Sequence, residues 1–295
     1  MIYVATAVTL AVLLSAAGWV LVVWFGGAWF RFFRYHRKKG LPLPDGPRWS
    51  DRIGHWLRES YALLMIHVWR LERGPPRLAP AADGDPVLCV HGFTQDRTNF
   101  SALRRRLWMA GRPSDSIDLG LPGRHPRKLA RKVIAGLEAM IARHPGRPID
   151  VVCHSMGGLV LRDALATRPD LAAPIRTIVT LGSPHHGTAG ARWPVRLWPE
   201  AGGLARGSDW IASLPTLAEV APDARTVTLA GSADYIVYPQ DTAHLPGSEH
   251  VDLHGIGHAG LLTDERVMDT VIAAFDGEEL PEGRGVTVHR ELAAS

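Results

Sequence analysis

Ser155, Asp234 and His258 each fall just past a short predicted strand, and in that chain order they are a nucleophile, an acid and a base. Ile149 to Cys153 reads as a strand, and Leu159 to Ala166 as the start of a helix, with His154-Ser155-Met156-Gly157-Gly158 between and into them. A serine at a sharp strand-to-helix turn stands above the sheet, with backbone N–H groups beside it. Its hydroxyl attacks a carbonyl only when a neighbouring base takes its proton. His258, in Gly255-Ile256-Gly257-His258, is the expected base. Asp234, in Gly231-Ser232-Ala233-Asp234, is the carboxylate expected to hold the imidazole in the useful tautomer.

Each residue has a purely structural reading. A serine after a strand often caps the next helix, and an aspartate there often bonds its own turn. His250 and His254 compete with His258, but both fall within or at the end of the preceding strand, where a histidine more often packs than acts as a base. Asp241 is the nearest rival of Asp234. The matched order of the three residues favours Ser155, Asp234 and His258.

The elements that must position them alternate. Val87 to Val90, Ser114 to Leu119, Ile149 to Cys153, Thr177 to Leu181, Thr226 to Ala230 and His250 to Leu253 read as strands. Asn99 to Met109, Leu129 to Arg143 and Leu261 to Phe275 read as helices between or after them. Continuous apolar strands alternating with helices predict an α/β fold, a mostly parallel sheet covered on both faces. The catalytic domain is expected at 85–277, with 278–295 a polar, mobile tail.

The motif Cys153-His154-Ser155-Met156-Gly157-Gly158 resembles the nucleophile elbow of α/β-hydrolases, in particular bacterial lipases and esterases. The similarity runs from about Pro86 to Phe275 and includes Val90-His91-Gly92-Phe93, Gly182-Ser183-Pro184-His185-His186-Gly187, the Asp234 loop and the His258 loop. Cys153 stands where that family usually has glycine. The resemblance implies an α/β-hydrolase fold and an oxyanion hole formed by the N–H groups of Phe93 and Met156, with His91 supporting the loop. His91 and Asp96 also show a His-x4-Asp acyltransferase spacing, a match of two residues only. The family further implies a cap at 189–222, where Trp193, Leu197, Trp198, Leu204, Trp210, Leu214 and Leu217 would suit an acyl chain or simply pack on the core.

Composition adds a membrane. Met1 to Phe30 holds no charged residue, longer than the roughly 20 apolar residues that cross a bilayer as a helix. A cleaved signal would carry a basic start and a shorter apolar core; here Arg31, Arg34, Arg37, Lys38 and Lys39 follow the apolar run instead. The expectation is a single-pass anchor at 1–30, with Ile2 to Phe25 spanning. The positive-inside rule puts the catalytic domain on the cytoplasmic side.

The segment 31–84 is basic, then a linker, then an amphipathic helix. In that helix Ile53, Trp56, Leu57, Leu64, Val68 and Leu71 recur at helical spacing, with Glu59 among the polar residues elsewhere around the turn. It either docks on the catalytic domain or lies in the membrane interface.

The net charge of +4 gathers beside the anchor rather than in a nucleic-acid motif, so no nucleic-acid partner is expected. Cys89 and Cys153 fall in buried strands and read as core residues. The adjacent His185 and His186 lack the cysteines or acids of a metal site, and the expected chemistry needs no metal or organic cofactor. The function expected is hydrolysis of carboxylic esters, lipids or other acyl esters. Acyl transfer on the same fold and a catalytically silent membrane scaffold are the alternatives.

Overall fold

Strand side chains alternate between two apolar layers, and that alternation organises the molecule. In the computed structural model, residues 26–41, 49–69, 83–93, 95–120, 126–192 and 199–290 are described. The chain divides into two units, Met1–Leu43 and Pro44–Ser295. The expected span, Ile2 to Phe25, lies outside the described residues. Among the described residues no helix is long and apolar enough to cross a membrane. In the first unit helix α1 (26–39) carries an aromatic run in which Phe32 and His36 pack with ring centroids 4.3 Å apart.

Among its described residues the second unit has helix α2 (Trp49–Trp69) and seven strands: β1 (Val87–Val90), β2 (Ser114–Ile117), β3 (Ile149–His154), β4 (Ile175–Leu181), β5 (Arg225–Gly231), β6 (Glu249–Leu253) and β7 (Val286–Arg290). They lie in the order β2-β1-β3-β4-β5-β6-β7. All pairs are parallel except β6 with β7. Leu88, Val90, Val151 and Cys153 face one layer, under helices α4 (Ala130–Arg143) and α5 (Met156–Thr167). Cys89, Val152, Val179 and Leu229 face the other, under α3 (Ser101–Met109), α8 (Glu265–Asp276) and part of α2. Parallel strands buried on both sides need such continuous apolar runs. Both cysteines are free and buried in strands.

Three expectations change. The tail at 278–295 was expected to be mobile, yet Val286–Arg290 pairs antiparallel with β6 as an edge strand, Val288 opposite Val251. Alternation of Val286 and Val288 with polar neighbours is a strand signal, weak because only one face is covered. The closing helix is broken: Gly260–Leu262 makes a 3-10 turn, and α8 starts only after the Asp264 cap.

Helix α2 docks with the side opposite its apolar stripe. Glu59, Ala62 and Ile66 are buried, while Ile53, Leu57, Tyr61, Leu64 and Val68 are exposed. The cap segment, where described, is packed on the core. Two short helices, α6 (Asp209–Ala212) and α7 (Leu217–Val220), lie in it, and Trp210, Leu214 and Leu217 are buried against α5. The Arg162 guanidinium bonds the carbonyls of Leu214, Pro215 and His185, and Trp210 Nε1 donates to Asp163 at 3.0 Å.

Strand order also locates a crevice. The chain steps from β1 outward to β2, then returns past β1 to β3, so the winding reverses between β1 and β3. In open α/β sheets ligands bind outside the carboxyl ends of strands at such a switch point. His91-Gly92 follows β1 and Ser155 follows β3 there. At the other end of β3, Asp150 is paired with Arg112 and Arg176 at 2.8 and 2.6 Å, an arrangement that satisfies a buried charge.

Candidate active site

Ser155 is forced into a conformation that few L-residues adopt. Its φ of 56° and ψ of −127° turn the chain from β3 into α5 within one residue. Such backbone costs about 1–3 kcal/mol and persists only where the surroundings hold it. Here the Ser155 N–H donates to the Leu181 carbonyl at 2.9 Å. Gly157 lets α5 start directly against β1, since a Cβ there would lie 2.3 Å from the Val90 carbonyl oxygen. Gly92, on the loop after β1, approaches equally closely: a Cβ on it would sit 2.6 Å from the Ser155 Cβ.

Asp234 and His258 meet. His258 Nδ1 donates to Asp234 Oδ2 at 2.6 Å. The other carboxylate oxygen, Oδ1, accepts the N–H groups of Ile236 and Val237 at 2.8 and 2.7 Å. Both side chains are buried. Burial pulls the His258 imidazole toward its neutral form, but the Asp234 charge and hydrogen bond outweigh it, and Glu59 adds to them. The net effect raises its pKa above 6.5. Gly182, one residue beyond the carbonyl that holds Ser155, lies against this pair: a Cβ there would be 3.3 Å from His258 Nδ1. The nucleophile elbow and the acid–base pair thus share one wall. Among the described residues Ser155 and His258 are not directly hydrogen-bonded; catalytic contacts often close only when substrate binds.

The rivals are occupied elsewhere. His250 sits in β6, with Nδ1 2.8 Å from Thr228 Oγ1 and its ring stacked on His244. Asp241 lies in a 3-10 turn, exposed. His91 is a brace, its Nδ1 donating to the Gly92 carbonyl and its Nε2 accepting from the Leu119 N–H, both at 2.9 Å. Asp96 caps the turn Arg97–Phe100 by accepting the Thr98 N–H at 2.9 Å. His185 lies 3.1 Å from Thr180 Oγ1. Phe93 follows Gly92 on the brace loop and Met156 is the first residue of α5, where backbone N–H groups have no partner within the helix.

Three residues beside the site carried no sequence expectation. His154 lies under His258, with ring centroids 4.6 Å apart and Nε2 3.1 Å from the His258 carbonyl oxygen. Burial holds it neutral, its pKa well below the ordinary value. Gln95 Oε1 accepts the Gly92 N–H at 2.8 Å and lies 2.9 Å from His154 Nδ1, tying the β1 loop to the elbow. Glu59 reaches in from α2 and accepts the N–H groups of Ala259 and Gly260, immediately after His258. Position next to Ser155 was a signal for His154. For Glu59 the signal was the small and apolar Ala62 and Ile66 sharing its helix face.

A doubly covered, mostly parallel sheet with a strained serine at its switch point and an Asp–His pair beside it has the architecture of the α/β-hydrolase fold. The PGAP1-like alpha/beta domain family matches residues 127–192, which hold α4, β3, the Ser155 elbow, α5 and β4. Among solved structures the chain is similar to Aspergillus fumigatus lipase B, with 17% sequence identity and a TM-score of 0.62 over 71% of this chain and 57% of that one. It is also similar to the propeptide form of Bacillus licheniformis lipase BlEst2, with 18% identity and a TM-score of 0.56 over 75% of this chain and 54% of that one. The chain thus spans a little over half the length of these two proteins.

Proposed function

We propose that the protein is a membrane-anchored serine hydrolase that cleaves carboxylic esters of lipids or other acyl compounds through an acyl-enzyme. The observation that carries this reading is the Asp234–His258 hydrogen bond beside a serine held at positive φ. Ser155 Oγ attacks the ester carbonyl as His258 Nε2 takes its proton. The N–H groups of Phe93 and Met156 donate to the oxyanion as it forms. The intermediate collapses, and the alcohol leaves with the proton from His258. Water, deprotonated by His258, then attacks the acyl-Ser155 carbonyl and frees the acid. Asp234 remains ionised and stabilises the imidazolium in both halves.

Association with lipid is supported by three features: the uncharged start to Phe30, the basic residues after it, and the exposed stripe of α2. Between Arg31 and Arg77 eleven basic residues face four acidic ones, one of which, Glu59, is buried. Such a segment is drawn to anionic headgroups. The positive-inside rule then places the catalytic domain in the cytoplasm.

A fluorophosphonate probe on the detergent-solubilised full chain tests the chemistry. Labelling that is lost in Ser155→Ala, with hydrolysis of p-nitrophenyl esters lost in parallel, is the expected result. A folded wild-type protein that neither takes the label nor cleaves esters across a chain-length series would overturn the reading. A reporter fused after Ser295 that is active only outside the cytoplasm would reverse the orientation.

A further inference from the structure

We propose that Glu59 is a positioning residue for His258, acting on it from behind through the backbone of the histidine loop and through its charge. The inference deepens the hydrolase reading and rests on it for its kinetic consequence.

The geometry is specific. Glu59 is buried, on the inner face of α2, two hundred residues from the loop it holds. Oε1 accepts from Ala259 and Oε2 accepts from Gly260 at 3.0 Å, so both oxygens are spent on the two residues following His258. The loop is shaped to admit the carboxylate: a Cβ on Gly257 would lie 2.4 Å from Glu59 Oε2. Charge-assisted hydrogen bonds of this kind are about twice as strong as neutral ones. Two of them on consecutive amides fix the peptide planes that set where the imidazole points.

A carboxylate can accept both N–H groups, which an amide with its single carbonyl oxygen cannot, and it also brings a charge. Burial pushes the Glu59 pKa up to about 7, even though the Ala259 and Gly260 N–H groups pull it down. Glu59 therefore exchanges its proton near neutral pH, and only its ionised form combines two accepted N–H groups with a charge. Its charge adds to that of Asp234 in raising the basicity of His258. The groups facing His258 are Asp234 from the loop after β5, His154 from β3 and Glu59 from α2; Tyr235 also senses both carboxylates, and His55 of α2 faces the loop at Gly255. Of these, Asp234 and Glu59 supply the negative charge. Protonating Glu59 removes that charge and turns one acceptor oxygen into a hydroxyl facing an N–H.

The test compares Glu59→Gln and Glu59→Asp with the wild type in the full chain in detergent. One readout is kcat and KM for a short-chain p-nitrophenyl ester from pH 5 to 9; the other is NMR titration of His258 Cε1–H, assigned with His258→Gln. In Glu59→Gln the His258 midpoint and the acid limb of kcat/KM move to lower pH. Its plateau kcat falls by roughly 10- to 100-fold, the scale of a ~1 Å misplacement, and KM is unchanged because Glu59 lies behind the imidazole. Glu59→Asp keeps the charge but cannot reach both amides: it retains most of the raised midpoint and loses kcat. An unshifted His258 midpoint in Glu59→Gln, or a loss expressed in KM alone, overturns the proposal. Should Glu59→Gln fail to fold, Glu59→Asp decides through the split between retained midpoint and reduced kcat. Should the wild type cleave no ester, the hydrolase reading fails, while the NMR midpoints still decide whether Glu59 acts on His258.

Discussion

Asp234 gives one carboxylate oxygen to His258 Nδ1 at 2.6 Å and keeps the other for the amides of Ile236 and Val237. The carboxylate is thereby held in one orientation, and Nδ1 must carry the proton, which leaves Nε2 free to receive one from Ser155. Asp234→Asn keeps the shape but presents an amide that can donate to Nδ1 and stabilise the wrong tautomer. The expected result is a fall in kcat on the order of 10⁴-fold, as for the equivalent change in a serine protease triad. Thermal stability changes far less. Steady-state kinetics with a p-nitrophenyl ester checks this, and retention of kcat within a few-fold would remove Asp234 from the relay.

Two groups at the site bind protons more tightly than their free counterparts, and the direction is the same for both. Glu59 is raised from 4.5 to about 7, and His258 is raised above 6.5. Folding therefore takes up protons as pH falls through this window. The stabilisation from each is fully present below its unfolded pKa and is lost as pH rises through its folded pKa. The Tm advantage of wild type over Glu59→Gln should accordingly shrink, or reverse, between pH 5 and 8. Calorimetric scans of both proteins across that range measure it; a difference that grows with pH would contradict the burial of Glu59 as a strained charge.

Gly92 approaches the Ser155 side chain so closely that a methyl group has no place: its Cβ would be 2.6 Å from the Ser155 Cβ and 3.1 Å from the His154 carbonyl oxygen. Gly92→Ala must push the β1 loop away from the elbow or twist Ser155. Either movement displaces the Phe93 N–H, one of the two proposed oxyanion donors. Loss of one such donor costs about 10²–10³ in kcat. We expect a fall of that order with KM little changed, measured on the same ester. An unaffected kcat would place the oxyanion elsewhere than between Phe93 and Met156.

Much of this arrangement was readable before any coordinates, because its signals are local. The Ser155 elbow follows an apolar run, and β1, β4 and β5 each contain one, whereas β2 (Ser114-Asp115-Ser116-Ile117) and β6 carry a weaker signal. What escaped reading was pairing at a distance. Val286–Arg290 is a strand because β6 offers an edge, and no period-2 argument over five half-exposed residues finds that. The face that Glu59 shares with Ala62 and Ile66 is visible in the sequence, but its partners Ala259 and Gly260, two hundred residues away, are not. The helix itself shows the deeper reason. Its apolar periodicity was real, but periodicity says which residues share a face, not which face meets the protein, and here a buried carboxylate with Ala62 and Ile66 took the inner side.

That inversion leaves Ile53, Leu57, Tyr61, Leu64 and Val68 exposed in one line along α2. Fully burying an aliphatic side chain is worth about 1.5–3 kcal/mol, so a lipid surface meeting this line would gain more than any scattered surface residue offers. A polarity-sensitive fluorophore tests it directly: Cys89 and Cys153 are both buried, so a label enters selectively at Leu57→Cys or Leu64→Cys. In full-length protein reconstituted into vesicles containing phosphatidylserine, labels at both sites should shift to the blue and be quenched by shallow spin-labelled lipid. A label at the exposed Glu138→Cys on α4 should do neither. Surface changes of this kind cost little stability, within about 0.5 kcal/mol, so Tm serves as the control for folding. Labels that report water in the vesicles would exclude the stripe from the membrane, and labels already in an apolar setting before lipid is added would mean that protein, not lipid, covers it.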